Sequence, residues 1–275
     1  MSTGRTNIYE LDQEALIRRL AELGEPAFRA RQVYRQLYIN LVDDFGGMTD
    51  LSKGLRGVLD EQFRIGNQEP VKLQTGDYGL TRNLLFRLPE GETNYSLCMV
   101  YPERDTVCVS SQAGCPMGCV FCATAKLGFL RDLTRGQIVA QVLWAAREVR
   151  AVAARSGGDG LPARLSNVVF MGMGEAFNNY DEWWAAVERL HDPEGFNMGA
   201  RSLTVSTVGL VPGIRRLASE RLPINLAISL HAADDDVRSA MMPVNKAYPI
   251  QALLEATRDY AETTRRRVSF EYVLL

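Results

Sequence analysis

Cys115, Cys119 and Cys122 fall within eight residues, in the spacing C-x3-C-x2-C. Thiolates are soft ligands that suit iron–sulfur iron, copper(I) or zinc, so the chain must fold to present three sulfurs from one short loop. A [4Fe–4S] cluster held entirely by protein takes four cysteines. Three would leave one iron corner open to a substrate or cofactor. Phe121, just ahead of the last thiol, can shield such a cluster or pack on a bound adenine. Two other readings stay open on spacing alone. A structural zinc site takes four ligands, and the fourth would be a distant Cys or one of the two histidines, His191 and His231. A disulfide with a spare thiol needs an oxidising compartment.

The chain has five cysteines, an odd number, and crowds three of them together, which argues against a disulfide framework. No stretch is apolar for the length of a membrane span, and the first residues lack the apolar core of a signal peptide. The expectation is a cytoplasmic protein with no membrane partner. A net charge of −2 does not advertise nucleic-acid binding, so any RNA contact would come from local patches. Candidates are Arg29, Arg31 and Arg35, then Arg131 and Arg135, and finally Arg265 to Arg267. Each patch reads equally as a solvated face.

Along the chain, Leu11, Leu16, Leu20 and Leu23 recur at helical spacing up to Gly24. Pro26 suits a first helical position, and Phe28, Val33, Tyr34, Leu37 and Tyr38 make the next apolar stripe. A third helix is expected from Ser52 to Phe63, giving a helical accessory domain over residues 1–66. Residues 67–104 are rich in β-formers, with a turn at Pro89-Glu90-Gly91-Glu92, and read as a linker containing a β-hairpin. From residue 105 to 275 strands alternate with helices. Strands are expected at Thr106–Ser111, Asn167–Met171, Ser202–Ser206, Ile224–Leu230 and Val268–Leu275. Helices are expected at Arg135–Val149, capped by Thr134 with Gln137, near Asp181–Leu190, after Pro212 and at Pro249–Thr263. A Gly-rich exposed loop is expected at Arg155–Pro162. Runs such as VVF and INLAISL fit a parallel sheet covered by helices, and the fold class is α/β, a partial (β/α) barrel. The last strand has no covering helix after it, which leads to the expectation of a barrel incomplete at its C-terminal side.

Active sites of such barrels form at the C-terminal ends of the strands. Four successive ends carry unusual residues: the cysteines, Met171-Gly172-Met173-Gly174-Glu175, Ser206-Thr207, and Ser229-Leu230-His231. Glycines allow close backbone approach to a ligand, Glu175 can accept from an ammonium group, and Ser206, Ser229 and His231 can serve hydroxyls or a carboxylate. Alone, the glycines could shape a turn, Glu175 could cap a helix and His231 could be structural. Together at one sheet edge they make a stronger case for a binding site.

The segments CVSSQAGCPMGCVFCATAKLGFLRDLT, MGMGE, LTVSTVGLVP and ISLHA together resemble the RlmN/Cfr family of radical S-adenosylmethionine (SAM) RNA methyltransferases, nearer its RlmN branch. The resemblance runs from the N-terminal helices to the last residue. It implies a [4Fe–4S] cluster on Cys115, Cys119 and Cys122, SAM bound by Gly174, Glu175, Ser206, Ser229, Leu230 and His231, and Cys108 as a catalytic cysteine that helps to release an enzyme–RNA adduct. It implies methylation at C2 of an adenosine in 23S rRNA and tRNA, where the Cfr branch acts mainly at C8. Two SAM molecules serve that chemistry: one methylates a cysteine, and reductive cleavage of the other gives the 5′-deoxyadenosyl radical that activates the methyl group. An external, flavodoxin-like electron donor and a monomeric state follow from the same resemblance. By strand alternation Thr106, Cys108 and Ser110 share one face and Val107 and Val109 the other. A merely buried thiol is the plainer reading of Cys98. The chain departs from the family pattern in three ways. No Cys follows Cys122 where the methyl-carrying cysteine is expected, and an Asn of the SAM site is absent with that segment. Ala176 replaces a usual Pro, and Tyr95 stands near a usual Glu. A chain ending at Leu275 is therefore expected to bind cofactors without completing methyl transfer.

Overall fold

The computed structural model describes residues 4–66, 69–89, 91–155 and 163–274. The chain opens with a two-residue strand, β1 (Thr6–Asn7), followed by helices α1 (Gln13–Glu22), α2 (Ala27–Tyr38) and α3 (Lys53–Gln62) and a second short strand, β2 (Phe63–Arg64), parallel to β1. Asp12 caps α1 through Ala15 N–H, and Ser52 caps α3 through Leu55 N–H. Pro26 sits at the N-cap of α2, one residue outside the helix. Phe28 leaves the expected stripe: it is half exposed, with the Arg29 guanidinium over its ring at 4.8 Å, while Val33, Tyr34, Leu37 and Tyr38 are buried.

Strands β3 (Glu69–Gly76), β4 (Thr81–Arg87), β5 (Thr93–Tyr101) and β6 (Arg104–Cys108) form an antiparallel meander. The expected turn between β4 and β5 is closed by Leu88 N–H to Glu92 O and Gly91 N–H to Leu88 O; Glu90 within it lies outside the described residues. A ribbon of β7 (Gln112–Gly114) and β8 (Phe129–Asp132) comes next, then α4 (Arg135–Arg155). The glycine-rich stretch after Arg155 lies outside the described residues. The order continues with β9 (Asn167–Phe170), α5 (Tyr180–His191), β10 (Leu203–Thr207), α6 (Val211–Ala218), β11 (Asn225–Ser229), α7 (Asp235–Met241), α8 (Ile250–Thr264) and β12 (Val268–Glu271). The last strand is described as far as Glu271; Leu275, the expected end, is outside the described residues.

The sheet order is β12-β11-β10-β9-β6-β5-β4-β3. The five strands from β6 to β12 are mutually parallel and carry the helices, a partial (β/α) barrel, and the meander extends the same sheet through β6. The hydrophobic core runs unbroken from α1–α3 into the barrel. Polar links reinforce that junction: Tyr34 Oη donates to Asp192 Oδ2 at 2.6 Å, and Glu10 accepts from Thr134 Oγ1 at 2.6 Å and Gly136 N–H at 3.1 Å. The expected Thr134–Gln137 capping box forms in both directions, at 3.1 and 3.3 Å.

One buried residue works against the fold. Asp105 on β6 is fully buried, its carboxylate oxygens making no well-formed hydrogen bond. Burial pushes its pKa up to about 6, and the Tyr101 backbone N–H offsets only part of that. The folded-state value lies above the ordinary 3.8, so any stability from this group is full below pH 3.8 and is lost as pH rises through about 6. Asp105→Asn is expected to raise the unfolding free energy by about 1–2 kcal/mol at pH 8 and by less at pH 5. Urea midpoints at the two pH values check this, and equal gains at both would contradict it.

Candidate cofactor-binding site

The ribbon β7–β8 exists to hold a loop. Gly114 takes φ +75°, and a Cβ there would sit 1.9 Å from the Gly128 carbonyl oxygen, so the two ends of the loop pinch together only because the residue is glycine. Cys115 N–H closes the pinch on Gly128 O at 2.9 Å. Within the loop Cys122 N–H donates to Cys119 O at 3.1 Å, and Thr124–Leu127 forms a single 3-10 turn. Val120 N–H reaches out to Met241 O at 3.0 Å, tying the loop to the end of α7. All three thiols then line one cavity of about 300 Å³.

The opposite wall of that cavity is made by strand ends. After β9, Gly172 N–H donates to Val109 O, and Met173 N–H donates to Ser110 Oγ. Gly174 follows at φ +101°, where a Cβ would strike Gln112 at 2.5 Å. Gln112 Oε1 accepts from Glu175 N–H at 2.9 Å while its Nε2 donates to Asp132 Oδ1 at 2.7 Å, so one side chain joins the ribbon to the glycine loop. Glu175 is buried; its carboxylate accepts from Phe177 N–H at 3.1 Å and Val208 N–H at 2.8 Å. Burial pushes its pKa up to about 7 despite those bonds. A carboxylate offers about four acceptor sites, so Glu175 both caps the turn Ala176–Asn179 and keeps capacity for a ligand. Ala176 opens that turn, a position whose N–H the turn does not need, where alanine and proline both fit.

Ser206 and Ser229 stand side by side on β10 and β11, Oγ to Oγ 3.2 Å. His231 holds φ +59°, uncommon for a non-glycine residue. Its N–H donates to Glu271 O, and its Nδ1 accepts from Val273 N–H at 3.2 Å, which places the proton of a neutral ring on Nε2. Burial and the Arg238 charge lower its pKa, so the ring is neutral near pH 7. Phe121 meets the His231 ring edge-on at 4.8 Å, and both line the cavity.

Two other expected site residues are not part of the cavity lining. Leu230 packs its side chain against the core; its N–H donates to Glu271 O and its carbonyl accepts from Arg238. Cys108 ends β6 and borders the cavity, its thiol against the backbone of Met171, which does line it. Burial pushes its pKa up to about 11. The expected shared face breaks after Cys108: Ser110 lies beyond the strand and is buried, its hydroxyl donating to Tyr95 O. Tyr95 itself lies on β5 near Cys108 and Cys122, which raise its pKa after burial. The sequence reading missed Thr124, Val208, Met242 and Glu271 in the lining. Val208 directly follows a strand already marked as site-bearing, and that position was the available signal; Glu271 ends β12, the one expected strand whose end was given no site role.

Three thiols on one loop are the soft donors that an open-cornered iron–sulfur cluster takes. No three His, Cys, Asp or Glu side chains among the described residues gather as ligands to one metal ion. Yet Cys115, Cys119 and Cys122 line the same cavity, and Cys115 and Cys119 feel the charge of neighbouring thiols. Burial pushes the Cys119 thiol up to about 11, with Cys115, Cys122 and Glu175 adding to it.

Of the basic patches, Arg131 pairs with Glu92 at 3.3 Å and Arg135 with Glu182 at 2.7 Å, so both are committed within the fold. Arg266 donates to Asn225 Oδ1. Arg31 and Arg35 remain exposed on α2. No helix among the described residues is long and apolar enough to cross a membrane.

Comparison with known proteins agrees along the whole length. The family model "Ribosomal RNA large subunit methyltransferase N-terminal domain" matches residues 6–65, and "Radical SAM superfamily" matches residues 109–275. A Chloroflexus aurantiacus protein named "Probable dual-specificity RNA methyltransferase RlmN" is 60% identical over 268 residues, covering 98% of this chain and 70% of that protein. A Roseiflexus protein of the same name is 57% identical, covering 98% and 74%. The crystal structure of a radical SAM methyltransferase from Sphaerobacter thermophilus superposes with a TM-score of 0.91 at 46% identity, covering 98% of this chain and 76% of that one.

Proposed function

The chain belongs to the RlmN family of radical SAM RNA methyltransferases, and we propose that it forms the cofactor- and base-binding part of an enzyme that methylates C2 of adenosine in 23S rRNA and in tRNA. One observation carries the reading: Cys115, Cys119 and Cys122 share a cavity with Glu175, Ser206, Ser229 and His231. Cys115, Cys119 and Cys122 would hold a [4Fe–4S] cluster, and the strand ends would hold SAM. Together these cofactors would supply one electron and radical chemistry, which an adenine carbon that is not nucleophilic requires.

The chain's own groups have separable tasks. Glu175 offers a buried negative charge to an ammonium group. Ser206 and Ser229 present paired hydroxyls, to hydrogen-bond ribose oxygens or a carboxylate. The neutral His231 presents an Nε2–H donor, and Phe121 beside it closes an apolar wall. Cys108 keeps its thiol proton, so it enters as an acid or after losing that proton to a base. Gly174 lets the backbone approach the ligand. A cytoplasmic site of action, with an external one-electron donor, suits a centre of this kind.

The test is anaerobic reconstitution with iron and sulfide, then SAM and dithionite. The expected result is the broad iron–sulfur absorption and release of 5′-deoxyadenosine. Colourless protein carrying stoichiometric zinc would overturn the reading. In a chain that turns over, mass mapping of the methylated adenine carbon separates C2 from C8.

A further inference from the structure

A single buried cation underlies the site. Arg238 on α7 is fully buried, and the guanidinium spends its donors on neutral acceptors. Nε donates to Leu230 O at 3.0 Å, Nη1 to Asn245 Oδ1 at 2.7 Å, and Nη2 to Val208 O at 2.7 Å and Ser229 O at 3.1 Å. The acidic residue whose field reaches it, Asp235, has its carboxylate in solvent, accepting from Ile250 N–H and Asn245 Nδ2. A buried charge without a paired counter-charge is costly to keep.

The position says what could balance it. Val208 and Ser229, whose carbonyls it holds, both line the cofactor cavity. Arg238 O accepts from Met242 N–H, and Met242 lines the cavity as well. Val120 of the cysteine loop donates to Met241 O, and Pro243 lies 3.6 Å from where a Gly118 Cβ would be. The segment bearing Arg238 is thus fastened to the loop that carries the thiols. Three thiolates on an iron–sulfur core outweigh its positive charge, so the assembly is anionic and becomes more so when it gains an electron.

We propose that Arg238 is the counter-charge of the cysteine pocket: a positioning residue that fixes the Val208, Ser229 and Leu230 carbonyls and whose buried positive charge favours the reduced form of a cluster on Cys115, Cys119 and Cys122. The inference rests on the reading of the site given above. Its test compares the anaerobically reconstituted 275-residue chain with Arg238→Gln and Arg238→Lys, poised with dithionite and mediators, the reduced cluster being counted by electron paramagnetic resonance. At a fixed potential the reduced-to-oxidised ratio is expected to fall about tenfold in Arg238→Gln, which is about 59 mV for one electron. It is expected to stay within about twofold in Arg238→Lys, which keeps the charge but not the fork of donors. Titration of SAM should show weaker binding in both, because both free the strand-end carbonyls. A ratio in Arg238→Gln equal to that of the parent chain overturns the inference. Should Arg238→Gln not fold, Asn245→Asp keeps an acceptor facing Nη1 and adds a negative charge. The same tenfold fall then supports the inference, and an unchanged ratio overturns it. A parent chain that takes up no cluster overturns the reading of the site and this inference with it, whereas a loaded parent chain with unshifted variants overturns the inference alone.

Discussion

Serine at any one of Cys115, Cys119 or Cys122 will reduce cluster iron to background and SAM cleavage by at least about a thousandfold, while Cys98→Ser keeps both. The size of the effect follows from the number of donors. Three thiols already leave one corner free, so removing one leaves two corners without a protein ligand, and nothing nearby substitutes. Cys98 provides the control, because it is buried on β5 and lies outside the cavity. The thiols also set the pH dependence of assembly. Cys119 is held as a neutral thiol by burial, with a pKa near 11, and Cys115 is raised in the same way. Binding iron must displace those protons, so loading becomes easier as pH rises. Iron and sulfide analysis after gel filtration, at pH 7 and pH 8.5, reads both effects.

Glu175→Gln carries the second large effect: SAM affinity falls about a hundredfold with little loss of fold stability. The loss amounts to about 2.7 kcal/mol, the scale of one charge-assisted contact in a dry site. Stability behaves differently because the ionised carboxylate is a burden in the free protein. Its folded-state pKa of about 7 lies above the ordinary 4.5, so stability is greatest below pH 4.5 and declines as pH rises to about 7. Above that the full cost is present, at most about 3 kcal/mol. Glutamine removes that cost but turns an amide donor toward Val208 N–H or Phe177 N–H, forfeiting one bond of about 1–3 kcal/mol. The two changes nearly cancel at pH 8. At pH 5 only the lost bond remains, so there the variant is the less stable. Calorimetric titration of SAM with urea melts at pH 5 and 8 resolves the pattern; equal SAM affinity in the two proteins would contradict it.

Much of this architecture could be read from residue pattern because the parallel strands are short runs of β-formers set between helical stripes, with alternate side chains of β6, β9 and β10 buried. The capping box at Thr134 and Gln137 was legible for a related reason, since its two bonds are local. What escaped was set by contacts distant in sequence. The ribbon β7–β8 is short and lacks apolar alternation, and its pairing depends on Gly114 meeting Gly128. Helix α7 lies in a run of charged residues that reads as solvated surface, yet Arg238 within it is buried because strand-end carbonyls receive it. Arg131 and Arg135 read as a basic patch until Glu92 and Glu182 arrive from elsewhere in the fold. At the cavity, Glu175, Ser206, Ser229 and His231 follow from the strand-end rule, and the fold gathers them with the thiols in one lining. Leu230 was assigned with its neighbours, but alternation turns the residue after Ser229 to the opposite face. Phe28 had the right spacing, and helical spacing alone does not reveal which edge of a stripe stays wet.

The central claim is that three thiols leave one iron corner for a ligand held by the strand ends. Electron–nuclear double resonance on the reduced, reconstituted protein with nitrogen-15-labelled SAM tests it directly. A strong hyperfine coupling between the cluster and the SAM amino nitrogen is expected, present in the parent chain and lost in Glu175→Gln at equal SAM concentration below saturation. A cluster spectrum indifferent to SAM, or one coupled to a histidine nitrogen of the protein, would contradict it.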